Sequence, residues 1–480
     1  MDPQQPPLCE RSATRLAADI RAGTTTATEA VEAYLIRIDE ENDTLCAYLT
    51  VIEESAREAA RSADAARVET DSETNTAEIG PLHGVPVALK DLRAAKQGVR
   101  HTFGSKLFAT HESEQTAVIV KRLEAAGAIV LGKTNVPEFG HKIVTQNELG
   151  RSTASPVDPS LNAGGSSGGS AAAVGAGLAA LATGSDAGGS IRIPATCCGI
   201  FGLKPSFGLV PVDSRPNAFG RTRHHTVLGP LSRTVEDAAL MMAVIAGPHP
   251  ADPTSVPVDI DFSGAVGQSI ADLSVAYSPA FDVFPVDPAV ESVVEDALSG
   301  FERAEAAVEE VEIGHNRSLE ELTEAVEITF ATAVRDGIAV RKKATGIDLL
   351  DHLDEITPSL RKLAELGEQF GTADVARTGL VRTQVFDAVQ SVLSTHDVLV
   401  VPTLGQVGFG LDEDVSHRNW DAALTWPFNW TGHPAASVPA GTTDNGHPVG
   451  LQIVGRRYED DTVLAASAAF EAERPWLSDN

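Results

Sequence analysis

The sequence predicts an α/β protein: one large domain in which a β-sheet is covered by helices. Three observations predict it. Amphipathic helical runs feed directly into short apolar or β-branched runs, the rhythm of a helix-covered sheet. The composition, 42% apolar and 22% charged over 480 residues, supports a sizeable core. No convincing linker separates the halves, so 1–480 reads as a single domain.

The elements follow in order. Residues 10–70 read helical. The capping box "TATE" (Thr26 to Glu29) precedes the amphipathic run Ala30 to Ile38, and a second helical stretch covers roughly Thr50 to Ala65. "RVETDSETNTAEIGP" is polar and unperiodic, hence a surface loop. A core segment of about 80–245 follows. It opens on the strand-like "GVPVALKD" (Gly84 to Asp91), which carries Lys90. Thr116 to Asn135 predicts a helix stopped by Gly127, then a buried strand over Ala128 to Leu131. Ser170 to Leu181 predicts a small-residue helix packed in the core. Further strands are expected at Leu273 to Tyr277, Val398 to Val401, Ala436 to Pro439 and Val449 to Val454. A helical, acidic excursion covers about 280–395, and C-terminal strands occupy about 397–470.

Charge restricts the partners. The chain carries 37 basic and 67 acidic residues, a net charge of −30. Such a surface disfavours nucleic acid and anionic membranes. It also self-repels unless counterions screen it, which points to an acidic protein adapted to a salt-rich, halophilic cytoplasm. The first residues hold no apolar signal region, and no apolar run is long enough to span a bilayer, so a cytoplasmic location is expected. Cys9 and Cys46 are isolated. The adjacent Cys197 and Cys198 suit neither a disulfide with each other nor a zinc site, so buried thiols are expected.

Two glycine-rich blocks carry the chemistry: "NAGGSSGGSAAA" (Asn162 to Ala173) and "GSDAGGSIRIPA" (Gly184 to Ala195). A flexible linker is one reading, but the apolar flanks and the Arg-Ile-Pro unit read as packed structure. A nucleotide-binding phosphate cradle is another, but neither block has the lysine of a P-loop or a preceding strand. A serine-hydrolase elbow matches Gly-x-Ser-x-Gly at Ser166 and at Ser167, with His224, His225 or His433 as partner, but lacks the strand before it. The fourth reading uses both blocks. Tandem glycines let backbone approach a ligand closely. Ala187, Gly188, Gly189 and Ser190 would direct several N–H donors at one point, an oxyanion hole, with a serine nucleophile beside it. Lys90 would serve as base if burial keeps its amine neutral.

The span Gly164 to Ala195 resembles the signature of the amidase signature family. "PLHGVPVALKDL", "GKTNVPEFG", "GIFGLKPSFGLVP", "GPLSRTVEDAALMM" and "HPVGLQIVGRRYEDD" are similar to its other familiar blocks. The resemblance covers most of 80–245 and 397–470 and little of 280–395. It implies a large, mixed, twisted sheet covered by helices on both sides. It also implies an amidase that hydrolyses linear carboxylic amides through an acyl-enzyme. Carried over by position, Ser190 is the nucleophile, Ser166 the bridging serine on a cis Gly165–Ser166 peptide, and Lys90 the base. Ser167 would hold the lysine, Asp186 and Arg192 would pair to hold the loop, and Thr183 and Ser185 would hydrogen-bond within the site. Gln146 and Asn147 fall where relatives line the pocket. Trp420, Trp426, Phe428 and Trp430 would form aromatic core or a pocket wall.

The resemblance implies no metal or organic cofactor, and a small-molecule amide as the partner. The family also holds the glutaminase component of glutamyl-tRNA(Gln) amidotransferase, which works with partner subunits. "FGLVPVDSRPNAFGRTRHH" looks more like the free amidases. Oligomeric state is not fixed by these residues, so a homo-oligomer stays open.

Overall fold

The computed structural model describes residues 6–70, 79–220, 225–257, 259–413, 415 and 420–477. Among them the strands in chain order are β1 (Tyr48–Val51), β2 (Pro86–Lys90), β3 (Ile129–Thr134), β4 (Leu181–Asp186), β5 (Phe201–Lys204) and β6 (Val227–Ser232). They continue with β7 (Ser274–Tyr277), β8 (Ala307–Glu310), β9 (Val398–Pro402), β10 (Ala435–Thr442) and β11 (Pro448–Gly455). All eleven join one mixed sheet, in the order β1-β3-β2-β4-β6-β5-β10-β11-β9-β7-β8.

The centre of this sheet positions the site. β2 runs parallel to β3 on one side and to β4 on the other. All five residues of "PVALK" are buried, as befits a strand covered on both faces. Lys90 therefore ends β2 beside the carboxyl end of β4, where open α/β sheets hold ligands. β4 then pairs antiparallel with β6 over its whole length.

The Ala27–Leu45 helix starts with the expected capping box: Thr26 and Glu29 exchange side-chain-to-backbone bonds. The excursion holds the Leu319–Thr345, Pro358–Gln369 and Thr372–Leu393 helices. It joins the body through an apolar cluster of Phe108, Ile338, Leu349, Ile356, Leu360 and Ala364.

Several expectations shift. Thr50 lies in β1, paired with Lys133, so the second helix begins only at Glu53. The small-residue helix is Gly168–Gly175, and the chain from Leu181 onward is strand β4. The strand expected over Ala128 to Leu131 extends to Thr134. Strand β8 interrupts the helical middle. Cys9, Cys197 and Cys198 are buried free thiols, whereas Cys46 is only half-buried. Most of the polar loop after Arg67, residues 71–78, lies outside the described residues, as does His224.

Candidate active site

The two glycine blocks meet over the end of β2. The first leads into the Gly168–Gly175 helix, and the second leaves β4 and enters the Arg192–Cys197 helix. They are tied together by backbone: the Ser167 N–H donates to the Ser190 carbonyl at 3.1 Å. Close packing requires the glycines. A Cβ on Gly169 would lie 2.3 Å from the Asn135 backbone nitrogen. Gly189 has φ +124°, and a Cβ there would lie 2.1 Å from Thr425 Oγ1. The Gly165–Ser166 peptide is cis.

Lys90 is 1% exposed. Its side-chain nitrogen stands 2.8 Å from Ser166 Oγ, 2.8 Å from Ser167 Oγ, 2.9 Å from Ser185 Oγ and 3.3 Å from the Ser185 carbonyl. No carboxylate pairs with it among the described residues. Its own backbone N–H donates to Thr183 Oγ1 at 2.9 Å, which fixes the strand end. Burial pushes its pKa well below 10.5; the Asp186 charge opposes this and Arg93 adds to it. Ser167 is also the N-cap of the Gly168–Gly175 helix, whose positive end disfavours an ammonium ion further. Four oxygens around one amine suit a neutral lysine, which can accept one hydroxyl proton while donating its own two.

The Ser167 hydroxyl is engaged with Ser185: it accepts from the Ser185 N–H at 3.3 Å and reaches the Ser185 carbonyl at 3.4 Å. The Ser166 hydroxyl has Lys90 as its one hydrogen-bond partner among the described residues. Ser190 is half-buried, and its hydroxyl makes no hydrogen bond among the described residues.

Asp186 shapes the second block. Fully buried, it accepts the Gly189 N–H at 2.7 Å and the Ile191 N–H at 3.1 Å. Arg192 grips it with two bonds of 3.0 Å, and Asn429 donates at 2.9 Å. The Arg192 charge and these bonds outweigh burial and hold its carboxyl far below the ordinary value of 3.8. Arg192 also donates to the Thr425 carbonyl at 2.8 Å, to Asn429 Oδ1 at 2.7 Å and to Gln452. The Gly189 N–H is thus spent on Asp186, which corrects its assignment to the oxyanion hole. The N–H groups of Ala187, Gly188 and Ser190 keep no acceptor among the described residues.

Other expected residues lie elsewhere. Asn147 donates to Asn135 Oδ1 at 2.5 Å and to the Val136 carbonyl at 2.7 Å, and accepts from Leu149 and Gly150. It holds a turn, with no polar group left for a substrate. Gln146 donates to the carbonyls of Leu411 and Glu413 at 3.4 and 3.1 Å. His433 bonds Gln390 at 2.5 Å, and His225 stacks on Phe207 with ring centroids 4.2 Å apart, so neither is the base of an elbow. Among the described residues no strand leads directly into the first block, which removes the phosphate cradle as well. Of the four aromatics, Trp426, Phe428 and Trp430 are core. Only Trp420 reaches the site: with Phe330, it would touch a Cβ on Gly188, at 3.2 and 3.0 Å.

Reading the sequence missed a second buried lysine. Lys133 donates to the Lys90 carbonyl at 3.1 Å and stands 3.7 Å from Asp91 Oδ1. Asp91 accepts the Thr102 N–H at 2.9 Å and lies 3.2 Å from His101 Nδ1. Burial lowers the Lys133 pKa to about 8 against the pull of Asp91. Lys133 thus keeps a carboxylate and Lys90 does not. The signal was available in "LKD" and "GKTN", since parallel strands β2 and β3 align Lys90 with Thr134 and Leu89 with Lys133.

A sequence model of the Amidase family matches residues 29–464. An acylamidase of Rhodococcus erythropolis is 37% identical over 478 residues, spanning 97% of this chain and 96% of that protein. The GatA-type component of a glutamyl-tRNA(Gln) amidotransferase from Chloroflexus aurantiacus is 34% identical over 476 residues, 96% of each. The solved structure of a bacterial aryl acylamidase belonging to the amidase signature enzymes superposes with a TM-score of 0.91 at 33% identity, covering 98% of both chains.

Proposed function

We propose that this chain, which belongs to the amidase signature family, cleaves its amide by acyl transfer to Ser190. The protein is an amidohydrolase that takes a small-molecule carboxylic amide to a carboxylate and ammonia or an amine. One observation carries the assignment of residues. A buried lysine without a carboxylate lies 2.8 Å from Ser166, on a loop bonded to the backbone of Ser190.

The steps follow. Ser190 Oγ attacks the carbonyl carbon while its proton passes to Ser166 Oγ, whose own proton passes to neutral Lys90. The developing oxyanion is held by the N–H groups of Ala187, Gly188 and Ser190. Asp186 and Arg192 fix that loop, and Ser167 and Ser185 fix the lysine. Collapse returns the proton through Ser166 to the leaving nitrogen, and water then releases the acyl group by the same relay. Phe330 and Trp420, packed against Gly188, support an aromatic group beside the scissile bond, as does the likeness to an aryl acylamidase.

The protein works alone, in the cytoplasm, as one domain, and its acidic surface depends on salt. Among the described residues no helix is long and apolar enough to cross a membrane. The test is purified protein given acetanilides, aliphatic amides and, separately, glutamine, with amine or ammonia release measured. Turnover of simple amides by the chain alone is expected. Ammonia from glutamine only, and only with partner proteins and charged tRNA, would overturn the free amidase in favour of the amidotransferase reading.

A further inference from the structure

A cleft of about 970 Å³ opens beside the serine floor. The two are continuous: a Cβ on Gly140 would lie 3.1 Å from Ser166 Oγ and 2.7 Å from Leu92 Cδ2, and Leu92 and Phe139 both line the cleft. Its far wall is the C-terminal half of the Leu319–Thr345 helix, including Arg341.

Arg341 stands on a built platform. Phe103 and Phe139 both adopt left-handed backbone, φ 56° and 50°, which bulky residues adopt only where the surroundings enforce it. The Phe139 N–H donates to the Phe103 carbonyl at 2.7 Å, and the two rings lie 6.0 Å apart. The Arg341 guanidinium carbon sits 4.5 Å from one ring centroid and 4.3 Å from the other. Cation–π contact therefore holds the group while leaving its N–H edge unspent. Among the described residues Arg341 makes no side-chain hydrogen bond and no ion pair. Glu114, Asp213 and Asp336 line the same cleft and none of them pairs with it. Burial and the neighbouring Arg93 lower its pKa to about 10, so it stays charged at neutral pH.

We infer that Arg341 and its two-phenylalanine platform form a subsite for a carboxylate carried by the amide substrate away from the scissile bond. The planar fork matches a carboxylate bidentately. The three acidic residues of the cleft disfavour a dianion such as phosphate. The inference rests on the amidase reading and adds the charge of the substrate to it.

The test uses para-substituted acetanilides ending in a carboxylate after one to four methylene groups, each beside its methyl ester. For the best member, kcat/KM of the acid exceeds that of the ester by about tenfold or more, through KM. Arg341→Met removes that preference, and Arg341→Lys, which keeps the charge but loses the fork, retains part of it. An acid-to-ester ratio unmoved by Arg341→Met, or an ester preference in the native protein, overturns the subsite. If Arg341→Met does not fold, Arg341→Lys alone decides, since an unchanged ratio there overturns the fork. If no anilide is hydrolysed, the amidase reading fails separately, and calorimetric titration with the same acids and esters decides the subsite. Acids then bind at least tenfold tighter than esters only with Arg341 present; equal binding overturns it.

Discussion

Replacing Lys90 by arginine keeps a positive charge in the site and takes away the base. The lysine is 1% exposed, and its nitrogen lies within 2.9 Å of three serine hydroxyls. A guanidinium cannot deprotonate at accessible pH, and its fork does not fit a cage built around one nitrogen. Loss of a general base costs roughly 10²- to 10⁴-fold in rate, about 3–5 kcal/mol of barrier. Two serine protons depend on this one acceptor, so the upper half of that range is expected. The assay is kcat/KM for an acetanilide between about pH 6 and pH 10, with circular dichroism to check that the variant folds. Lys90→Arg should lose roughly a thousandfold or more at every pH. In the native protein kcat/KM should rise with pH, because the lysine must be neutral, and the rise should fall below 10.5, because burial lowers the lysine pKa. Lys90→Met should match the arginine variant. Activity in Lys90→Arg within about tenfold of native, about 1.4 kcal/mol, would mean that the charge matters and the base does not.

Four further predictions test the rest. A fluorophosphonate should leave its adduct on Ser190, read by peptide mass spectrometry; an adduct on Ser166 with an active Ser190→Ala would revive the elbow. Gly189→Ala meets Thr425 Oγ1 at 2.1 Å and a φ of +124°, so about 1–3 kcal/mol of strain should appear in urea titrations together with loss of turnover. Asp186→Asn leaves the buried Arg192 without its counter-charge and should destabilise by about 3–5 kcal/mol. The sign with pH follows: the Asp186 carboxyl is depressed in the fold, so its contribution is present above the unfolded value near 3.8 and is lost as pH falls below it. With a net charge of −30, the melting temperature should climb from about 0.1 M to about 3 M salt as the Debye length shrinks from about 10 Å to under 3 Å; a flat profile would return the acidity to simple solubility.

Legibility followed the reach of each physical signal. β2 was readable because a strand covered on both faces needs a continuous apolar run, and "PVALK" supplies one. β4 was not, because "LATGSD" has neither alternation nor β-branched bulk. Its strand character comes from β6, paired with it at all six positions, and from β2. β1 failed for the same reason, since Thr50 reads equally well into the helix that follows, and only β3 decides the matter. Lys90, Ser166 and Ser190 were legible through spacing and resemblance. The Lys133–Asp91 pair that holds the Lys90 carbonyl was not, because strands β2 and β3, far apart in sequence, must first be laid side by side.

The oxyanion loop marks where sequence reasoning stops. Glycines announce that backbone passes close to something, but not which way each N–H points. In "DAGGS" the direction is set by the first residue. Asp186, charged because Arg192 and Asn429 hold it so, draws the Gly189 N–H inward at 2.7 Å and the Ile191 N–H at 3.1 Å. The same pull fixes the loop from behind and leaves the N–H groups of Ala187, Gly188 and Ser190 without acceptors among the described residues. A donor array of this kind costs nothing to reorganise when negative charge develops in front of it, because a buried carboxylate has already oriented the loop. Asp186 therefore acts through the loop as a positioning residue, and loss of its charge should lower kcat more than it raises KM, which separates orientation of the N–H groups from binding of the amide.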